Sequence, residues 1–332
     1  MFEAQADALR RLLGDPSRLH HALLLEGRPG IGKGRFAAAL AKGLLCEGTD
    51  AGRGPGRLAC GRCPSCGWFD AASHPDFRPV GLLADKEGKV AWEISIDPIR
   101  DLESFIGLTA FRDGARIVLI DPADALSGPA ANALLKMLEE PGERTVFLLV
   151  THRPDQLPAT VRSRCRRVRI PAPTPSEAVA WLAADAAVAP VEAACLLAMA
   201  GGAPLHARDL ADPANLTAHR TLLEAIGSLP DTSLIAVAER VGTASAVRWY
   251  PLLQRWLGDL VRVSAGASPR HFPESAARLA QLGRRSTLDA LTRAATGLQR
   301  QASLVRHPLN PRLFLEESLA LYLDAFDNRR GG

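Results

Sequence analysis

At 332 residues and 47% hydrophobic content, the chain is long enough for two or three packed domains and too apolar to be a disordered segment. Its net charge of +4 rests on 40 basic residues, 35 of them arginine, which is a weak argument for a polyanionic partner. No apolar run reaches the ~18 residues of a membrane span, and the start Met-Phe-Glu-Ala-Gln-Ala-Asp is acidic where a secretory signal is basic, so membrane and secreted classes are set aside and the expectation is a cytoplasmic protein.

The first half alternates short β-type runs with helical patterns. Leu23-Leu24-Leu25 reads as a buried strand, and Arg35 to Leu45, with Phe36, Leu40 and Leu44 at helical spacing, as the helix that follows. Between them lies Gly27-Arg-Pro-Gly-Ile-Gly-Lys-Gly34, which follows the phosphate-loop pattern G-x-x-x-x-G-K-[ST] at every position except the last. Gly27, Gly30 and Gly32 let backbone N–H groups close around phosphate oxygens, and Lys33 reaches the outer phosphates. Gly34 stands where a hydroxyl would hold Mg2+. Such a loop can hold a nucleotide and is poorly equipped to hydrolyse it.

Next comes Cys60-Gly-Arg-Cys63-Pro-Ser-Cys66, with Cys46 14 positions upstream at the end of the predicted helix and glycines at 48, 52, 54 and 56 between them. Four thiolates suit a closed, structural tetrahedral zinc site, with no open position for a substrate. An iron–sulfur cluster is the other reading of three cysteines at this spacing before a proline, although a further cysteine three residues on is absent. Unmetallated thiols are the bland one.

Further strands are predicted at Phe77 to Leu82, Arg116 to Ile120, Thr145 to Val150 and Arg167 to Ile170. Between them fall a helix capped by Asp97 with Pro98 at its first position and another from about Ala130 to Glu139. Strands spaced by helices imply a parallel, helix-covered sheet. Arg116-Ile-Val-Leu-Ile-Asp121 ends in an acid where an ATPase places a Mg2+-linked Asp. Pro122 then takes the place of the Glu that activates water. The plain reading of Asp121 is a strand-end turn residue.

Pro171-Ala-Pro-Thr-Pro175 breaks the pattern, and everything beyond is helical in period and rich in Ala and Leu. A second break falls near Gly201-Gly-Ala-Pro204 and Asp212-Pro213. Trp249, Tyr250 and Trp256, close together on one predicted helix, read first as core and second as interface anchors.

His20-His-Ala-Leu-Leu-Leu-Glu-Gly27, Asn132-Ala-Leu-Leu-Lys-Met-Leu-Glu-Glu-Pro141 and Leu157-Pro-Ala-Thr-Val-Arg-Ser-Arg-Cys165 resemble the AAA+ subunits of the bacterial sliding-clamp loader. The cysteine cluster after the loop helix is similar to that group's zinc module, and Asn310-Pro-Arg-Leu-Phe-Leu-Glu-Glu to the last helix of its collar. Within the group, the two broken motifs resemble the delta-prime type of DNA polymerase III, not the ATP-hydrolysing gamma/tau type. The resemblance implies an α/β AAA+ core over 1–172, with a P-loop type parallel sheet, helices on both faces and a zinc module at 46–66. A helical lid over 173–210 and an all-α C-terminal collar over 211–332 follow.

The resemblance also implies that Ser163-Arg164-Cys165 is an arginine-finger motif. Arg164 would act on a neighbouring gamma/tau subunit's ATP, for which a permanently charged, planar guanidinium is suited. The simpler reading places it in a basic patch with Arg162, Arg166, Arg167 and Arg169. Thr151 stands at a phosphate-sensing position, where capping a turn is its plainer use, and Pro204 stands where a lid arginine is expected. The implied partners are the gamma/tau and delta subunits in a hetero-pentamer, with the sliding clamp and primed DNA reached through the complex. No intrinsic ATPase is expected in this part of a DNA-directed DNA polymerase (nucleotidyltransferase) holoenzyme. Three other classes compete: an active gamma/tau-type ATPase, a stand-alone zinc-containing DNA-binding protein, and a redox or cluster-bearing regulator.

Overall fold

A computed structural model describes residues 1–15, 18–48, 58–83, 91–107, 114–306 and 310–327. The chain divides into two compact units, Met1–Glu177 and Ala178–Gly332. The first contains α1 (Glu3–Leu13), β1 (Ala22–Glu26), α2 (Lys33–Leu45), α3 (Pro64–Asp70), β2 (Phe77–Gly81), α4 (Ile96–Gly107), β3 (Arg116–Asp121), α5 (Gly128–Glu139), β4 (Thr145–Thr151), α6 (Ala159–Ser163) and β5 (Arg166–Arg169).

All five strands pair in parallel in the order β2-β3-β4-β1-β5. β1 and β4 are interior strands and carry continuous apolar runs because both faces are covered. Alternate residues therefore enter different cores. Leu24, Val118, Ile120, Phe147 and Leu149 pack with Leu102 of α4 and Leu134 of α5, whereas Leu23, Leu25, Ile117, Leu119, Leu148 and Val150 pack with Leu9 of α1 and Phe36 and Leu40 of α2. The expected parallel sheet with helices on both faces is present. α4 begins one residue before Asp97, so that carboxylate lies inside the first turn instead of capping it.

The second unit is helical. α7 (Pro175–Asp185) leads into it, followed by α8 (Pro190–Met199), α9 (Pro204–Leu210), α10 (Pro213–Gly227), α11 (Leu234–Val241), α12 (Ala246–Ser264), α13 (Ala276–Gly283), α14 (Leu288–Gln301) and α15 (Pro311–Leu323). Two apolar clusters form there. One gathers Ala178, Leu182, Leu196 and Ala207 from α7 to α9, and the other is built on α10 to α15 around Trp249, Tyr250, Trp256, Phe272 and Tyr322. Trp249, Tyr250 and Trp256 are almost fully buried: Tyr250 stacks on Phe314, Trp249 meets Phe314 at a tilt, and Trp256 does the same with Phe272. They are core. Among the described residues no single helix is long and apolar enough to cross a membrane.

His219 on α10 lies mostly buried near Phe272, and its environment pushes its pKa down to about 4, chiefly by desolvation and then by Arg255 and Arg220. An unfolded histidine binds its proton near 6.5, so between pH 6.5 and 4 the unfolded chain holds more protons, and stability is lost as pH falls through that window. Discounted for its partial exposure, the effect is about 1–2 kcal/mol. The unfolding free energy of His219→Leu should lack this increment relative to the parent between pH 6.5 and 4, which titration of denaturant midpoints would measure. Equal slopes for the two proteins would remove the assignment.

Candidate functional site

The C-terminal end of β1 delivers the chain into the phosphate loop. Gly30 (φ +72°) and Gly32 (φ +94°) adopt left-handed conformations that favour glycine, and Gly32 is the N-cap of α2. A Cβ on Gly27 would lie 2.9 Å from Ile31 Cδ1 and 3.2 Å from the Ile170 carbonyl oxygen, so a side chain there would crowd the loop's own isoleucine and the carbonyl after β5. Lys33 is 2% exposed, and its ammonium donates to the carbonyls of Gly27 and Arg28, both at 2.7 Å. Burial pushes its pKa down to about 8 against the opposing pull of Asp121 and Asp124. A phosphate would compete with two carbonyls for these donors. Gln5 of α1 holds the loop from outside, its side-chain amide donating to the carbonyls of Ile31 (2.8 Å) and Pro171 (3.1 Å).

The missing hydroxyl at position 34 has a tertiary counterpart. A Cβ on Gly34 would lie 2.3 Å from Asp121 Oδ2, so the carboxylate fills the space that a Ser or Thr side chain would need. Burial raises the Asp121 pKa, with Lys33 working against the rise. Pro122 follows it directly. The nearby acid is Asp124, whose Oδ1 accepts from the Thr151 hydroxyl and the His152 N–H, both at 2.9 Å. Thr151 also accepts from the Arg153 N–H at 3.1 Å, so its hydroxyl secures the turn after β4.

The four cysteines converge. Cys46 follows the last turn of α2, Cys63 is the N-cap of α3 with its sulfur accepting from the Cys66 N–H, and Cys60 precedes it. One ligand atom from each lies within 4.8 Å of the others, with Cys66–Cys46 at 3.5 Å, Cys46–Cys63 at 3.8 Å and Cys60–Cys66 at 3.9 Å. Around a metal with bonds of about 2.3 Å, tetrahedral sulfurs stand about 3.8 Å apart. The donor set fits such an ion. Without one, burial pushes the Cys66 thiol up to about 12, whereas N–H groups of Arg62 and Cys63 lower Cys60. Of the intervening glycines, 52, 54 and 56 lie outside the described residues. Cys165 and Cys195 are elsewhere, and burial lifts Cys165 to about 11, which leaves it inert.

Arg164 is the C-cap of α6. Its Nη1 donates to the Thr160 carbonyl at 2.9 Å and its Nη2 pairs with Glu139 at the end of α5, leaving the side chain 34% exposed. Arg166, Arg167 and Arg169 lie exposed along β5, the edge strand, and Arg167 pairs with Glu26 at 2.8 Å. Charges on an edge strand also discourage unwanted strand pairing. Pro204 opens α9, and Arg208, one turn on, pairs with Asp185. Sequence reasoning missed Gln5, Glu139 as the partner of Arg164, and Asp124 as the acid next to Thr151. Nothing in their local patterns distinguishes them from ordinary helix and turn residues.

The chain matches the family described as DNA polymerase III, delta subunit, over residues 4–174. It is 41% identical over 204 residues to the DNA polymerase III subunit delta' of Pseudomonas aeruginosa, the match covering 61% of this chain and 59% of that one. To subunit delta' of Escherichia coli it is 34% identical over 255 residues, covering 76% of this chain and 72% of the relative. The tau subunit of E. coli is 35% identical over 155 residues, 47% of this chain and 22% of tau.

Proposed function

We propose, since this chain belongs to the family of DNA polymerase III delta-prime subunits, that it serves as the non-hydrolysing member of a sliding-clamp loader. The carrying observation is the contact of Asp121 with Gly34, because it puts a carboxylate where the Mg2+-binding side chain of an active loop would start. Pro122 at the place of the activating Glu supports the same reading. Arg164, partly exposed at the end of α6, then serves in trans on the ATP of an adjacent gamma/tau subunit, where its guanidinium would meet charge developing on the transferred phosphoryl oxygens.

The first unit supplies the finger and the faces toward gamma/tau and delta. The cluster of α7 to α9 acts as the lid, and that of α10 to α15 as the collar of a hetero-pentameric ring that places the clamp on primed DNA. Cys46, Cys60, Cys63 and Cys66 hold a structural Zn2+. Four protein thiolates close its coordination shell, so the ion contributes folding energy and no chemistry.

The isolated chain should show no ATPase, alone or with DNA, and Gly34→Thr should not create one, because Pro122 still lacks a carboxylate to orient water. A steady-state phosphate-release assay on both proteins checks this. Hydrolysis by the unmodified chain would instead establish an active gamma/tau-type enzyme.

A further inference from the structure

Behind the thiol cluster runs a buried chain of hydrogen bonds. The Asp76 N–H donates to His74 Nδ1 at 3.0 Å, so that nitrogen carries a lone pair, and a neutral ring then has its proton on Nε2. Nε2 lies 2.8 Å from Ser65 Oγ, and Ser65 Oγ donates to the Leu45 carbonyl at 2.6 Å. The directions are thus fixed throughout, from Asp76 through His74 and Ser65 to Leu45. Ser65, His74 and Asp76 are 1%, 8% and 6% exposed. The far end is anchored in the sheet, since the Asp76 carbonyl accepts from the N–H of Ile117 in β3 at 2.9 Å.

The two residues at the near end of this relay are the immediate neighbours of two thiols. Leu45 precedes Cys46 and Ser65 precedes Cys66, so the Ser65–Leu45 bond pins the end of α2 to the first turn of α3 across 20 residues of chain. Cys46 and Cys66 are left with their sulfurs 3.5 Å apart. The Leu45 carbonyl is one of the last four of α2, which have no helical partner, and Ser65 supplies one.

We propose that Ser65 and His74 are positioning residues that preset the cage, holding Cys46 against Cys66 before a metal arrives. The proposal rests on the reading of the four thiols as a metal site. Groups that orient ligands from behind typically change metal affinity by about 10–100-fold when removed. In the full chain, Ser65→Ala and His74→Phe should each weaken Zn2+ binding by about that factor in chelator competition. His74→Gln, which retains a donor near the place of Nε2, should stay within a few-fold of the parent.

Co2+-loaded variants should keep the absorption of a four-thiolate tetrahedral site, since the ligands remain. Ser127→Ala, which removes the cap of α5 in the same unit, controls for general destabilisation and should leave Zn2+ affinity unchanged. Affinities of Ser65→Ala and His74→Phe within twofold of the parent, or reduced no more than in Ser127→Ala, would overturn the relay. Failure of the parent to take up one equivalent of Zn2+ is a separate outcome, which overturns the metal reading and the relay with it.

Discussion

Arg164→Ala should slow ATP hydrolysis at the adjoining site of a reconstituted loader about a thousandfold, while the ring still assembles. An arginine finger contributes about 10³–10⁵ to turnover where it has been isolated, because it neutralises charge that develops only in the transition state. The lower figure suits a ring in which the neighbour keeps its own Mg2+ and base. Assembly should survive, since the side chain gives up only a bond to the Thr160 carbonyl and a half-exposed pair with Glu139. A pair of that exposure is worth about 0–1 kcal/mol.

Arg164→Lys should not restore the rate, as an ammonium lacks the planar fork. Single-turnover hydrolysis in a ring with one competent site, with native mass measurement of the assembly, reads both effects. Arg166→Ala on the exposed edge of β5 is the control. A normal rate in Arg164→Ala, or an equal loss in Arg166→Ala, would return Arg164 to a general basic patch.

The features legible in the sequence were those written in local spacing. Leu23-Leu24-Leu25 announces an interior strand because both faces of β1 are covered, and the glycines at 30 and 32 announce the left-handed turns that the phosphate loop requires. The cysteine spacing likewise names a cluster. What spacing could not supply is the set of contacts made across the fold. Gly34 reads as a deletion, yet the Asp121 carboxylate, far along the chain, occupies the vacated space. Gln5 looks like any polar residue of an amphipathic helix until α1 is packed and its amide meets the loop carbonyl of Ile31. Ser65 falls inside the cysteine motif and His74 just after it, but their relay exists only once α3 lies against the end of α2. A 3.6-residue apolar period announces the helices of the second unit, whereas its burial pattern depends on which helices meet.

Asp259→Ala should destabilise the helical unit by about 3 kcal/mol and, under the proposed function, lower the yield of assembled rings, the reverse of the result for Arg164. Asp259 sits on α12 with no exposed surface, and its two carboxylate oxygens accept from the N–H groups of Arg270 (2.8 Å), His271 (2.7 Å) and Phe272 (2.8 Å). These bonds fold the segment after α12 back on the helix, helped by Gly266 at φ +82°, and seat Phe272 beside Trp256 with ring centroids 6.0 Å apart.

Alanine leaves up to three backbone donors without a partner, at about 1–3 kcal/mol for each that stays buried, and the exposed position of Arg270 lets water recover part of the loss. Asparagine is no remedy, because one of its two terminal atoms is itself a donor and would face another N–H. A domain with a total stability of about 5–15 kcal/mol is left near its threshold by such a change. Denaturant midpoints of the isolated chain measure the loss, and a shift below about 0.5 kcal/mol would refute it. If the α10 to α15 cluster is the collar, Asp259→Ala lowers clamp loading through fewer rings, whereas Arg164→Ala lowers it in intact ones. Under the proposed function, that contrast would separate a ring-building part of the chain from a residue that acts on a neighbour's nucleotide.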